Sequence, residues 1–198
     1  MALTLIKEDG SGKVDANSYA NAADGDAYHD GHLYASAWAA ATTGNKEKAL
    51  VMATRLIDTQ FQFNGWRSHD EQALQWPRES CPDPDRGLAI AIVLRLRAGN
   101  YVDSDIVPSG IGNATCEMAR ELLIADRTAS PTGEGLDSVQ IAHASHAASG
   151  TGSSSDSSTT KYSKSDTRPI ISHVAQAMLA KYGSLVSGGS GAVRLTRA

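Results

Sequence analysis

The chain has 198 residues, 41% of them hydrophobic but only 6% aromatic, and a formal net charge of −4 at pH 7. That length holds one domain with a real core, or a small domain with extended arms, and the negative balance speaks against general attraction to nucleic-acid phosphate. The sequence predicts neither a membrane span nor a signal peptide, and its two cysteines, Cys81 and Cys116, are too few for a disulfide framework or a zinc site and read as free thiols.

In chain order, Leu3 and Leu5 alternate with polar residues before a turn at Asp9-Gly10, which predicts a short strand or extended arm. Asn17 or Ser18 can cap a first helix carrying Tyr19, Ala23 and Ala27 on one face. "ASAWAAA" predicts a second helical piece centred on Trp38, broken by Gly44-Asn45. In "NKEKALVMATRLIDTQF", Ala49, Leu50, Ala53, Leu56, Ile57 and Phe61 recur at three- and four-residue steps, one buried stripe of a strong helix. In "QALQWPR" (72–78), Ala73 and Leu74 suit a short helix that Pro77 must end, because proline biases Trp76 away from helical backbone and donates no hydrogen bond.

"GLAIAIVLRLRAGNYVDSDIV" then changes to a two-residue period and, with Gly99-Asn100 as the turn, predicts a hairpin over about 88–106; a helix competes for its apolar part. Pro108 opens a second strong helix at its first-turn position, with Ile111, Thr115, Met118, Leu122 and Ala125 on the buried face. "VQIAHAS" reads as a strand, and "SGTGSSSDSSTT" as a flexible loop that buries nothing. A last helix is predicted from Pro169 through Ile170, Ile171, Val174 and Met178 to a stop at Gly183. "SGGSGAVRLTRA" follows as a linker and a short tail.

Most candidate chemistry fails on spacing. "DGSGK" (9–13) resembles a phosphate loop, but that pattern needs Gly where Lys7 stands and Ser or Thr where Val14 stands. "HDGH" places His29 and His32 three apart around Asp30, without a third ligand cluster, and reads as surface histidines at a helix end. His143 and His146 would face opposite sides of a strand. "DPDRG" starts like a calcium loop whose remaining ligand positions are apolar, and "SGGSG" lacks the strand-turn-helix setting of a nucleophile elbow. His69, Asp70 and Glu71 favour a helix N-terminus and need no further role. No catalytic, cofactor or metal residues are therefore expected, and the chain reads as a non-enzyme. Trp38, Trp66 and Trp76 with Arg67 and Arg78 could stack bases and hold phosphates; the competing reading makes Trp38 and Trp76 core anchors and has the arginines cap helix ends or pair with local acids.

The order of motifs carries more than any one of them. "EDG…ANSY", "AW", "KALVMATRLID", "FNGWR", "QALQWPR" and "DSDIVPSGIGNATCEMARELL" together resemble the phage neck family of head–tail adaptor, or head-completion, proteins, often labelled DnaT-like single-stranded-DNA-binding proteins. The resemblance covers about the first two-thirds of the chain. It departs at about Leu88–Asn100, which looks like an insertion.

The resemblance implies a ring homo-oligomer, expected to be twelvefold, beneath the portal in the virion neck, assembled in the host cytoplasm. Its partners would be the portal protein and tail or tail-completion proteins, with genomic DNA passing through the channel unbound and no membrane involved. The expected fold is mainly α: a small helical bundle with one or two β-hairpins and extended N- and C-terminal arms. The adaptor core would span 1–130, with hairpin, Gly/Ser-rich loop, C-terminal helix and tail in 131–198. Trp76, Pro77 and Arg78 would form a structural corner. In the tail, apolar Val193 and Leu195 alternate with polar neighbours, as an added strand or groove-bound peptide requires, and with Arg194 and Arg197 would meet the portal or an adjacent subunit. The alternative function is a DnaT-like single-stranded-DNA-binding replication protein.

Overall fold

The computed structural model describes residues 3–83, 85, 101–129, 138–143, 156–161 and 169–186. Its elements are α1 (Ala22–Asp30), α2 (Ser36–Ala40), α3 (Thr43–Gln60), β1 (Phe61–Phe63), β2 (Trp66–Arg67), β3 (Arg78–Glu79), α4 (Ser109–Ile124), β4 (Ser138–His143), β5 (Asp156–Lys161), α5 (His173–Leu179) and β6 (Gly183–Leu185). The fold is mainly α, with short strands paired two by two.

The two strong helices expected from their stripes pack on each other, α3 against α4, with Leu50, Ala53, Ile57, Ile111 and Met118 buried and Leu56 and Leu122 at the margin of the core. Because α4 also touches α1, α2 and α5, it is buried nearly all round, including Glu117 and Arg120. Burying that pair is tolerable only because its charges are matched. Arg120 Nη2 lies 2.6 Å from both Glu117 Oε1 and Glu121 Oε1, and Arg127 Nη1 lies 3.1 Å from Glu121 Oε2. Arg127 Nε then donates to Ile170 O at 2.8 Å, tying the end of α4 to the segment entering α5.

Several boundaries differ from expectation. The cap of α1 is Asn21, which exchanges side-chain-to-backbone hydrogen bonds with Asp24, so Tyr19 lies before the helix, where it is buried. Gly44-Asn45 does not break the chain. Thr42 caps α3 by accepting from Asn45 N, placing the glycine in a first turn where backbone N–H groups lack intrahelical partners anyway. Pro108 is the N-cap of α4, and Ala125, expected on its buried face, is exposed beyond its end. Ser172 caps α5 by accepting from Ala175 N, which leaves Ile170 and Ile171 outside the helix and Val174 exposed.

The predicted hairpin near 88–106 lies largely outside the described residues, and Tyr101 instead forms an isolated antiparallel bridge with Pro82. β6 was not expected; it pairs antiparallel with β1 in the register Phe61–Leu185, Gln62–Ser184, Phe63–Gly183. The Ser-rich stretch, expected as a loop, supplies β5, which pairs antiparallel with β4 from Ser138–Lys161 to His143–Asp156. Backbone pairing does not require apolar side chains, so composition concealed it.

The chain divides into two compact units, residues 1–127 with 170–198, and 128–169. α5 and β6 belong to the first. They pack on α4 and pair with β1, contacts that no local pattern announces.

The N-terminal residues close on themselves rather than reaching out as an arm. Ile6 O accepts from Asn17 N and Ser18 N, and Asn17 reaches back to Ile6 N and Thr4 O. Inside that loop the buried Glu8 carboxylate accepts from Gly10 N, Gly12 N and Lys13 N at 2.8–2.9 Å. Gly10 and Gly12 have φ of 103° and 71°, left-handed backbone that turns these amides inward. The stretch resembling a phosphate loop thus wraps the chain's own anion. Glu8→Ala should orphan three donors, costing about 2–3 kcal/mol after partial rescue by water. Chemical denaturation would register that loss, and an unchanged midpoint would show the loop closes without the carboxylate.

Candidate functional site: the Trp-Pro-Arg corner

The predicted helix over 72–76 is absent; residues 70–77 form turns and bends. Their polar backbone groups are served by side chains instead. Gln72 is the hub, its Oε1 accepting from His69 N at 2.9 Å while Nε2 donates to Leu74 O at 2.7 Å and Pro77 O at 3.1 Å. The Trp76–Pro77 peptide bond is cis.

Trp76 is fully buried, its ring edge-on to Phe63 (5.8 Å between centroids) and Tyr182 (5.6 Å). β1 supplies Phe63, and Tyr182 immediately precedes β6, so the indole seals the place where that strand pair meets the core.

Arg78, at the start of β3, spreads its guanidinium over backbone carbonyls. Nε donates to Asn64 O (2.8 Å), Nη1 to Gln75 O and Oε1 (3.1 and 3.0 Å), and Nη2 to Gly65 O (2.6 Å) and Phe63 O (3.3 Å). The planar, five-donor fork of arginine is the side chain that can serve so many acceptors at once. Burial holds its pKa below the usual arginine value. Pro77 O accepts a further bond from Ser68 N. Trp76, Pro77 and Arg78 therefore fasten the loop from 64 to 77 onto β1 and the aromatic cluster.

A second set of contacts joins this corner to α3. Tyr19 OH donates to Asp58 Oδ1 at 2.6 Å and accepts from Trp76 N at 3.2 Å, while Gln75 N donates to Asp58 Oδ2 at 3.1 Å. Burial pushes the Asp58 carboxyl up to about 6, against the lowering by Tyr19, the Gln75 amide and the Arg78 charge. Burial and the Asp58 charge together drive the Tyr19 hydroxyl well above the ordinary phenol value.

The sign of the linkage follows. Asp58 holds its proton more tightly folded than unfolded, so its contribution to stability is fully present below the unfolded value of about 3.9 and lost as pH rises through about 6. Asp58→Asn cannot titrate. The stability difference between wild type and Asp58→Asn should shift against the wild type between pH 4 and pH 7, as melting curves at several pH values would reveal. A difference independent of pH would assign Asp58 an ordinary carboxyl.

The other aromatic and histidine candidates are scattered. Trp38 is 2% exposed, its ring against Gly25, where a Cβ would stand 2.3 Å from the indole. Its Nε1 donates to Asp26 Oδ1 at 2.8 Å, and Lys46 Nζ sits 5.2 Å above the ring. Trp66 is 58% exposed and gives its Nε1–H to Glu79 Oε2 at 3.1 Å across the β2–β3 pair. Arg67 Nη1 donates to Gln72 O. Arg67 and Arg78 thus hydrogen-bond carbonyl oxygens where capping of helix ends or pairing with local acids was expected.

His29 is not a surface residue as expected but buried, because α1 lays it against Trp38 and α4. Its Nε2 is 3.1 Å from Cys116 O, a carbonyl that can only accept, so the ring is an Nε2–H donor there; burial lowers its pKa. His32 is 3.8 Å from Glu117 Oε2. Among the described residues no group of three His, Cys, Asp or Glu side chains could hold a metal ion. Cys81 and Cys116 are free and buried, and burial pushes the Cys116 thiol up to about 12. Val193, Arg194, Leu195 and Arg197 lie outside the described residues.

Sequence reasoning missed Tyr19, Asp58 and Gln72 as parts of the corner. The signal of Tyr19 and Asp58 is tertiary, across 57 residues for Tyr19 and Trp76 and 17 for Asp58 and Gln75, whereas Gln72 bonds within five residues of itself.

No curated protein and no solved structure matches the chain. A family model described as "Putative DnaT-like ssDNA binding protein" matches residues 3–198. With that match running over nearly its whole length, the chain belongs to the DnaT-like ssDNA-binding protein family.

Proposed function

We propose that the chain is a structural head-to-tail adaptor of a tailed bacteriophage, a head-completion subunit that forms a ring beneath the portal and surrounds the DNA channel. The observation carrying this reading is where the indoles lie. Trp38 and Trp76 are sealed in the core and Trp66 is bonded to a carboxylate, whereas sequence-tolerant binding of single strands uses several exposed rings along a positive groove. A net charge of −4 suits a channel through which DNA slides without being held. The motif order of the neck family supports the same reading.

On this reading the helices form a small bundle that builds the ring in the virion neck, with the C-terminal tail as the arm that grips its neighbours. Val193, Arg194, Leu195 and Arg197 dock on the portal or on an adjacent subunit, and tail or tail-completion proteins bind below. The role is mechanical and needs neither cofactor nor catalysis.

The second reading is a single-stranded-DNA-binding replication protein. The family's description, taken alone, favours it over the first, and exposed Trp66 beside Arg67 on β2 is the feature that would serve it.

Titration with a fluorescent oligothymidylate at two salt concentrations, beside an attachment assay on portal particles, separates them. The adaptor binds the oligonucleotide weakly and attaches to the portal. Deleting residues 187–198 lowers that attachment while the melting temperature stays nearly unchanged. Tight, salt-sensitive oligonucleotide binding that Trp66→Ala abolishes would overturn the adaptor reading in favour of the second.

A further inference from the structure

The "HDGH" pair is drawn together against α4, with His29 in the last turn of α1 and His32 in the turn that follows. Hydrogen bonds fix which nitrogen of each neutral ring carries the hydrogen. Cys116 O can only accept, so His29 bears its hydrogen on Nε2, 3.1 Å away, and Nδ1 keeps a lone pair. That Nδ1 is buried and has no hydrogen-bond partner among the described residues. Tyr34 N can only donate, so His32 Nδ1, 3.0 Å from it, also carries a lone pair, and the ring hydrogen sits on Nε2, 3.8 Å from Glu117 Oε2. A second proton on either ring must therefore land on Nδ1.

Neither Nδ1 accommodates one. On His29 the new N–H would be buried without an acceptor. On His32 it would face the Tyr34 N–H, donor against donor, and end the bond that shapes the turn. The surrounding charges offer little compensation. Glu117 of α4 is already matched by Arg120 at 2.6 Å, and Asp26 of α1 by Lys46 of α3 at 2.7 Å. Arg120 and Lys46 bring positive charge, while Tyr28, Trp38 of α2 and the Cys116 thiol are neutral. Burial accordingly holds the His29 pKa below its ordinary value, against the Cys116 carbonyl and the Glu117 charge.

What the two rings hold is weak by itself. α2 has five residues and no side-chain cap, and α1 has nine residues, lengths at which a helix depends on tertiary contact. His29 supplies that contact, its ring 4.8 Å from Trp38 between centroids and its Nε2 on α4. His32 N donates to His29 O at 3.0 Å and begins the turn between them.

We propose that His29 and His32 form a proton-operated latch: a proton taken from solvent onto Nδ1 of either ring frees the α1–α2 segment from α4, while α3 and α4 stay packed. The latch is independent of both functional readings above. Its hold is fully present above about pH 6.5, the unfolded histidine value, and is lost as pH falls below it through the lower folded value of His29. Asp58 runs the other way, its contribution growing toward acid, so the two are told apart by where the chain opens.

Hydrogen exchange of the full chain at about pH 7.5 and about pH 5, corrected for the intrinsic pH dependence of amide exchange, tests it. Protection of the α1 amides and of His32 N and Tyr34 N should fall about tenfold or more in acid, and α3 and α4 should keep theirs. His29→Gln/His32→Asn preserves the bonds without the titration, since a glutamine amide nitrogen can donate where Nε2 does and an asparagine oxygen can accept where Nδ1 does. That variant should keep its α1 protection at both pH values. Should it prove unfolded by circular dichroism, the ring-nitrogen NMR shifts of the wild type decide instead: both rings should carry Nε2–H at about pH 7.5, and His29 should gain its second proton together with the loss of α1 protection. The latch is overturned if α1 protection does not change with pH, if the variant loses it as the wild type does, if α3 and α4 open along with α1, or if either ring carries its hydrogen on Nδ1.

Discussion

Trp76→Ala is expected to yield an unfolded or insoluble chain rather than a folded one with altered binding. Truncating a fully buried tryptophan costs about 3–5 kcal/mol, against a total stability of roughly 5–15 kcal/mol for an ordinary domain. Here the indole also closes the gap between Phe63 and Tyr182, so its loss loosens β1 and β6 together. Trp76→Phe is the informative companion. The indole N–H has no hydrogen-bond partner among the described residues, so phenylalanine gives up volume without orphaning an acceptor. It should fold, with a loss of about 1–2 kcal/mol in denaturant titration. A folded Trp76→Ala with unchanged melting temperature would place the indole outside the core and revive base stacking.

Arg78→Ala should be the second most damaging change at the corner, by roughly 3–4 kcal/mol, because it strips a charged donor from the carbonyls of Phe63, Asn64, Gly65 and Gln75. Arg78→Lys retains the charge but cannot spread over acceptors on both sides of the loop, so it should recover less than half of that. Urea titration of the three proteins gives the ranking. If lysine restored full stability, charge alone would be the requirement and the fork geometry irrelevant.

Where the sequence was legible, a long apolar period carried the message. α3 and α4 each repeat buried residues through several turns, enough to be found and to be paired with each other. β1 and β6 are three residues each, too short for any period to rise above accident, and their partnership spans the chain. The 72–76 stretch failed for a different reason. Ala73 and Leu74 suit a helix locally, but the backbone is held in another shape by local bonds from Gln72 and Arg78 and by bonds to Tyr19 and Asp58 that only the folded chain brings together.

Of the corner itself, the motif resemblance pointed to Trp76, Pro77 and Arg78, while the α3 carboxylate and the Tyr19 hydroxyl that steady it left no local mark. His29 was misplaced because polarity suggested a surface. Its burial depends on α4 offering the Cys116 carbonyl 87 positions further along.

The pairing of β1 with β6 also sets when this protein can be finished as it is made. Tyr182, which packs on Trp76, and the strand that covers Phe61–Phe63 are among the last described residues to be synthesised. A nascent chain that has already delivered α3, the corner and α4 still holds an open aromatic face, and waits for α5 and β6 to shut it. Contacts this distant along the chain form late and slowly, and exposed apolar surface on an incomplete chain invites aggregation or proteolysis. A product cut short after α4 therefore lacks the residues that complete the core.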